Sequence, residues 1–215
     1  FYTLRFKDLE SGELLPDIIP DVSANLVWAA DNRTVFYARK DPHTLRPYQI
    51  LRHVLGTDSA DDVLVYEEKD ETFACWLSKS KSRDYLFITA DQTLSSEVRF
   101  LAADDPTGEF RVILPREEKH EYSVEHLAGR FYIRSNWEAE NFRLMATPVM
   151  NTEKRNWREV IGHREDTLLV NFELFRDHLV LTERFEGLDR LRVMPWSGDG
   201  EHYIEFGEPA YMAYV

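Results

Sequence analysis

An all-β fold is predicted by three observations on this sequence. Apolar and polar residues alternate with period two, as in Thr34-Val35-Phe36-Tyr37-Ala38-Arg39 and Glu97-Val98-Arg99-Phe100-Leu101, the spacing that turns one face of an extended chain towards a core. The chain of 215 residues carries 13 Phe, 10 Tyr and 5 Trp against 9 Gly, a balance suited to pleated surfaces. Short turn-forming strings separate the alternating runs: Asp31-Asn32-Arg33, Asp105-Pro106-Thr107-Gly108, Ala128-Gly129 and Ser197-Gly198-Asp199-Gly200. These are too short to hold the crossover helices of a parallel sheet, so strands follow one another by hairpins.

Taken in order, the strands fall into groups of four. The first group covers 24–30, 34–40, 48–55 and 62–67, and the second covers 72–79, 85–90, 97–102 and 110–114. Two more groups begin near Glu121 and Thr167, so that starts at 24, 72, 121 and 167 are spaced by 48, 49 and 46 residues. The junctions echo one another: Glu67-Glu68-Lys69-Asp70-Glu71-Thr72 is matched by Glu117-Glu118-Lys119-His120-Glu121-Tyr122 and more faintly by Arg164-Glu165-Asp166-Thr167. A repeat of about 40–50 residues with four antiparallel strands is the signature of a β-propeller, whose blades bury each other's two apolar faces. The expected blades are 23–70, 71–118, 119–165 and 166–208. A remnant of an earlier blade is expected at 1–22, within which 1–15 would supply two strands, and the start of a later blade at 209–215, with a strand at 211–215. The expectation is an excerpt from a larger ring.

Composition narrows the environment. With 43% hydrophobic residues the chain can build a core, and a formal charge of −13 argues against a phosphate-binding surface. It favours a cationic partner or simple solubility. No run approaches the ~18 apolar residues that span a bilayer, and no signal-peptide pattern appears, so a soluble segment is expected. The lone Cys75 sits among Phe73, Ala74 and Trp76 and reads as a core residue; a reducing, cytoplasmic setting suits it. Seven histidines, at 43, 53, 120, 126, 163, 178 and 202, lie scattered without metal-ligand spacing and read as solvated loop or strand residues. No Gly-rich phosphate cradle occurs, so no metal and no cofactor are expected.

The Gly-His with Trp-Asp pairs of one propeller class and the Gly-Gly pairs of another are absent. A different text stands out: Asp41-Pro42-His43-Thr44-Leu45-Arg46-Pro47-Tyr48-Gln49, His53-Val54-Leu55-Gly56-Thr57, Asp62-Val63-Leu64-Val65-Tyr66-Glu67-Glu68-Lys69-Asp70-Glu71-Thr72-Phe73 and Ser95-Ser96-Glu97-Val98-Arg99. With Arg130-Phe131-Tyr132-Ile133-Arg134-Ser135-Asn136 and Asn141-Phe142-Arg143-Leu144, it resembles, over essentially the whole chain, the oligopeptidase B branch of the prolyl oligopeptidase family of serine peptidases. The resemblance implies a seven-bladed propeller over an α/β-hydrolase domain that holds a Ser-Asp-His triad, cleavage of short peptides after Arg or Lys, and a propeller that limits access by folded proteins. The implied partners are that hydrolase domain and basic oligopeptides. The Gly-x-Ser-x-Gly elbow does not occur in these residues, no catalytic residue of the family can be carried over, and this segment alone is expected to be silent.

The candidate functional residues are the junction carboxylates Asp70, Glu71, Glu118, Glu121, Glu165 and Asp166, with Glu67, Glu68 and Glu117 beside them. A junction brings the chain from the outermost strand of one blade to the innermost strand of the next. Acids there would build a negative field that attracts basic peptides or pairs with cations of the hydrolase domain. The plainer reading is a solvated turn. Trp28, Trp76, Trp137 and Trp196 read as blade packing, with a ligand platform as the alternative. At the level of the whole protein the alternative to a peptidase is a stand-alone binding propeller without enzymatic activity.

Overall fold

The computed structural model describes residues 1–208 and 211–215, and its strands are joined by short turns. The chain divides into two units, Phe1–Arg116 and Glu117–Val215, each holding two antiparallel sheets. In the first unit β1 (Tyr2–Lys7), β2 (Leu14–Trp28), β3 (Thr34–Lys40), β4 (Pro47–Val54) and β5 (Val63–Glu67) form one sheet in chain order. The second sheet is β6 (Ala74–Lys79), β7 (Tyr85–Gln92), β8 (Ser95–Ala102) and β9 (Arg111–Leu114). In the second unit β10 (Tyr122–Leu127), β11 (Arg130–Ser135), β12 (Arg143–Pro148) and β13 (Arg158–Ile161) form the third sheet. The fourth is β14 (Thr167–Leu174), β15 (His178–Phe185), β16 (Leu188–Pro195) and β17 (His202–Tyr203). Among the described residues no helix is long and apolar enough to cross a membrane.

Period-two alternation does what the sequence requires of it. Along β3, Val35 and Tyr37 join Phe6, Ile19, Val22 and Leu51 in one core. Their neighbours Phe36 and Ala38 join Ile50, Cys75, Leu77, Leu86 and Ile88 in another, between the first and second sheets. A third core in the second unit gathers Leu144, Leu169, Phe172, Leu174, Leu179 and Leu181. Polar groups stitch neighbouring sheets as well. The Asn25 amide of β2 donates to Leu77 O at 2.9 Å and accepts from Leu77 N–H at 2.6 Å, repeating a ladder step with a side chain. In the second unit Arg134 Nε donates to Leu169 O at 2.6 Å, while its guanidinium lies 3.5 Å from the Phe142 ring centre. Burial pushes Arg134 down to about 10.

Several elements differ from expectation. The strand expected at 24–30 is the second half of a 15-residue strand, β2. Its first half pairs with β1 (Tyr2 opposite Val22, Leu4 opposite Ile19) and its second with β3 (Val22 opposite Arg39, Trp28 opposite Val35). Register shifts on both sides and a positive φ of 58° at Asp21 absorb the handover. Residues 211–215 carry no strand, and residue 209, where a later blade was expected to begin, lies outside the described residues.

Three histidines read as solvated are buried: His53, His120 and His126. His53 of β4 has Nδ1 2.7 Å from Asp62 Oδ1 and Nε2 3.1 Å from Asp17 Oδ1, with the Phe6 ring stacked 5.8 Å away. Gly56 N–H donates to Asp17 and the Tyr37 hydroxyl donates to Asp62 Oδ2 at 2.8 Å. Burial works to raise the Asp17 carboxyl, but these hydrogen bonds outweigh it and hold the group below the usual range. The network ties β2, β3 and β4 to the turn before β5.

The cores carry the stability of this unit. Phe36→Ala empties a fully buried position and should cost about 3–5 kcal/mol. Urea denaturation of the chain, followed by far-ultraviolet circular dichroism, is the measurement.

Candidate functional site

Antiparallel order gives every sheet two distinct ends. In each run of four strands, β2–β5, β6–β9, β10–β13 and β14–β17, the turn between the second and third strands lies at the same end as the chain that leaves the fourth. Hydrogen bonds at that end fasten one to the other. Arg46, in the β3–β4 turn, donates through Nη1 to the carbonyls of Glu68, Asp70 and Phe73 at 3.3, 3.3 and 2.7 Å. Asn141, in the β11–β12 turn, donates to the carbonyls of Arg164 and Glu165 at 3.0 and 2.8 Å. Asn136, at the start of the same turn, accepts from Glu121 N–H at 2.9 Å and donates to Lys119 O at 3.1 Å.

The candidate carboxylates therefore occupy fixed backbone positions at these ends, and most keep their side chains in solvent. Asp70 is exposed and accepts from Thr72 N–H and Oγ1 at 3.0 and 2.7 Å, which holds its carboxyl below the usual range. Glu71, Glu118 and Glu165 are exposed. Asp166 is exposed and accepts from Thr167 Oγ1 at 3.0 Å. Glu121 is half-buried, with Asn136 Nδ2 3.4 Å from its Oε1. Asp70 and Glu71 belong to the first unit, the other four to the second.

Glu68, grouped by sequence with these acids, behaves differently. Its side chain is only 4% exposed and meets Arg116 Nη2 at 2.6 Å, the Tyr66 hydroxyl at 2.6 Å and Asp70 N–H at 2.9 Å. Arg116 also lies over the Phe73 ring at 3.8 Å, and its backbone N–H donates to Glu97, which pairs with Arg99 at 2.7 Å. A matching arrangement occurs in the fourth sheet. Glu183, 1% exposed, pairs with Arg164 at 2.5 Å and accepts from the Tyr203 hydroxyl at 2.8 Å. In both carboxyls burial favours the neutral acid, yet the arginine and tyrosine hydrogen bonds prevail and keep the group ionised below the usual range.

The sequence signal that separates Glu68 from its neighbours is weak: Tyr66 two residues earlier puts a hydroxyl on the same strand face. Arg116, just before the second junction, and Arg164, which opens the third, had no role assigned from sequence. His120, within the second junction, is buried with Nε2 2.8 Å from Ser135 Oγ and its ring stacked near Tyr122. Burial, with the Lys154 charge, pushes it down to about 4. Cys75 is fully buried and its thiol is pushed up to about 12 by desolvation, so it is no nucleophile. What the exposed acids can do chemically is attract and pair with cations.

Comparison with known proteins bears on what such a scaffold belongs to. The family described as the prolyl oligopeptidase N-terminal β-propeller domain matches residues 1–215. The chain belongs to this family. Dipeptidyl aminopeptidase BI of Pseudoxanthomonas mexicana is 41% identical over 98% of the chain, and Protease 2 of Moraxella lacunata is 34% identical over all of it. The structure of oligopeptidase B from Leishmania major superposes with a TM-score of 0.87 at 26% identity, over 97% of this chain. The chain spans 29%, 31% and 30% of these three proteins. The antiparallel sheets, three of four strands and one of five, thus belong to the propeller domain of a peptidase family, as the sequence led one to expect.

Two stability measurements test the buried groups of the site. Arg116→Ala leaves the buried Glu68 charge without its guanidinium. Because Arg116 is 30% exposed, water softens the loss to about 2 kcal/mol, below the value for a fully buried pair; Glu68→Gln combined with Arg116→Ala should recover part of it. His120 is neutral in the folded chain at pH values where the unfolded chain protonates it, so its contribution is present above pH 6.5 and lost as pH falls towards about 4. Denaturation series across that range should show an acid slope worth about 2–3 kcal/mol that His120→Gln removes.

Proposed function

We propose that this chain is the propeller part of an oligopeptidase B-like serine endopeptidase that cleaves short peptides after Arg or Lys. In this reading the propeller is a size gate and a docking partner for an α/β-hydrolase domain of the same parent chain, in the cytoplasm, and the 215 residues alone are catalytically silent. The observation that carries it is the 34% identity to Protease 2 over the whole chain, supported by the 0.87 TM-score to an oligopeptidase B. The exposed acids at the junction ends suit a cationic substrate: Asp70 and Glu71 in the first unit, and Glu118, Glu165 and Asp166 in the second, stand in solvent without a buried counterion consuming their charge. Fixed backbone beneath them, held by Arg46, Asn136 and Asn141, lets that field be aimed.

A second reading has its own support. The relative at 41% identity is a dipeptidyl aminopeptidase, which favours release of dipeptides from free amino ends. The two readings part on peptides with blocked amino ends, cleaved by the endopeptidase alone. A stand-alone binding propeller is the third outcome, and a parent reading frame without a Gly-x-Ser-x-Gly hydrolase domain would establish it.

Neutralising Asp70, Glu71 and Glu121 in the full-length protein should lower kcat/KM for Arg-containing peptides about 10-fold and flatten its salt dependence, since steering charges act mainly on encounter. Peptides with neutral residues at the cleaved position should be unaffected. Unchanged salt dependence would assign the acids to ordinary solvated turns.

A further inference from the structure

We propose that the indole of Trp76 and the carboxylate of Asp91 form a clamp for an organic cation, an ammonium or guanidinium group carried by a peptide. The inference rests on the reading that the whole protein handles peptides, and it names a subsite within the propeller for them.

Trp76 stands on β6 and Asp91 near the end of β7, with Ala74 opposite Asp91 and Trp76 opposite Thr89. Residues 74 and 76 share one sheet face, and cross-strand partners share it too, so Asp91 belongs to that face. Trp76 Nε1–H donates to Asp91 Oδ1 at 2.9 Å. Its strand neighbours Cys75 and Leu77 point the other way into the core. Trp76 itself keeps 42% of its surface exposed, although blade packing was the expectation for it. An indole tied by its N–H to a carboxylate offers a π-face and a negative charge side by side, the pair of features that attracts a desolvating cation.

Asp91 is exposed, and its partner differs from those of the buried carboxylates described above. Glu68, Glu97 and Glu183 each meet a guanidinium; among the described residues no Lys, Arg or His pairs with Asp91, and its side-chain partner is the indole. Crowding by neighbours raises its carboxyl above the usual range despite that hydrogen bond, the opposite direction to Asp70. A carboxylate that is open to solvent and has no counterion can pair with a cation that reaches the indole beside it. The pair also stands at the junction end of the second sheet, where the chain passing Asp70 and Glu71 enters β6, so the acids proposed to attract basic peptides lie at the same end.

Two sources could present the cation: a basic side chain, or the α-ammonium of a free amino end. Calorimetric titration of the full-length protein with N-acetylagmatine, which carries a guanidinium alone, and with glycinamide, which carries an α-ammonium alone, separates them. Asp91→Asn keeps an acceptor for the indole and removes the charge. It should weaken binding of one of the two probes about 10-fold, and the probe affected identifies the source. Trp76→Phe keeps a ring and loses the donor, and should weaken the same probe about 3-fold. In turnover assays Asp91→Asn should raise KM for the matching cationic peptide and leave both kcat and the KM of its citrulline or N-acetylated counterpart unchanged. Equal affinities of wild type and Asp91→Asn for both probes would overturn the clamp, even in an active peptidase. Asp91-dependent binding in a protein that cleaves no peptide would overturn the peptidase reading and leave the clamp standing.

Discussion

The structure depends on how a polypeptide leaves one sheet and enters the next without leaving a charge stranded. A four-stranded sheet has two apolar faces to cover, so the connecting segment must run past hydrophobic cores with its own carbonyls and acids in tow. Burial alone would make those carbonyls and acids costly. The answer in both units is a buried glutamate held by an arginine and a tyrosine: Glu68 with Arg116 and Tyr66 in the first, Glu183 with Arg164 and Tyr203 in the second. Such a group is worth little over an apolar replacement of equal volume, but losing one member exposes the others to the full cost of desolvation. Its use is to fix one path for the chain.

That fixed path divides the junction acids into two kinds. Glu68 is consumed by structure, while Asp70 and Glu71, two and three residues later, stay in solvent. The same split separates the buried Glu183 from the exposed Asp166 near it in the fourth sheet's recess. Cations that approach from solvent therefore meet the second kind, and the first kind holds the second in position through the backbone. Asp91 is a third case, exposed like the second kind but joined to an indole.

How much of this was legible beforehand follows from the range of each interaction. Strand alternation and the ~48-residue spacing are local and periodic, so Val35 and Phe36 could be assigned to opposite faces from sequence alone, and each group of four strands falls within one sheet, the first of which also takes in β1. The Glu68–Arg116 pair spans 48 residues, one whole repeat, and no local pattern announces it. His53 reads as one more scattered histidine until Asp17, 36 residues before it, is brought to its ring. β2 runs back beyond the expected 24–30 strand through Pro16, Pro20 and Asp21, residues that fit a ladder poorly. They fall in the half of the strand that serves β1, where bulged pairing tolerates them. Trp76 shows the limit from the other side, since the alternation that makes it a strand residue does not say whether a neighbour covers it.

The Asn25 stitch to Leu77 has a consequence for the repeats as a set. An amide is the one side chain that offers a donor and an acceptor at the spacing of a peptide group, so an aspartate there would turn a lone pair towards the Leu77 carbonyl. The corresponding fasteners elsewhere are Arg46, Asn136, Asn141 and Arg134, each matched to carbonyls of one particular neighbour. The blades look interchangeable in outline but are keyed individually. Shuffling their order in the gene would keep every hydrophobic face and still leave each key against the wrong lock, so that sequence drift among the repeats is itself a record of address.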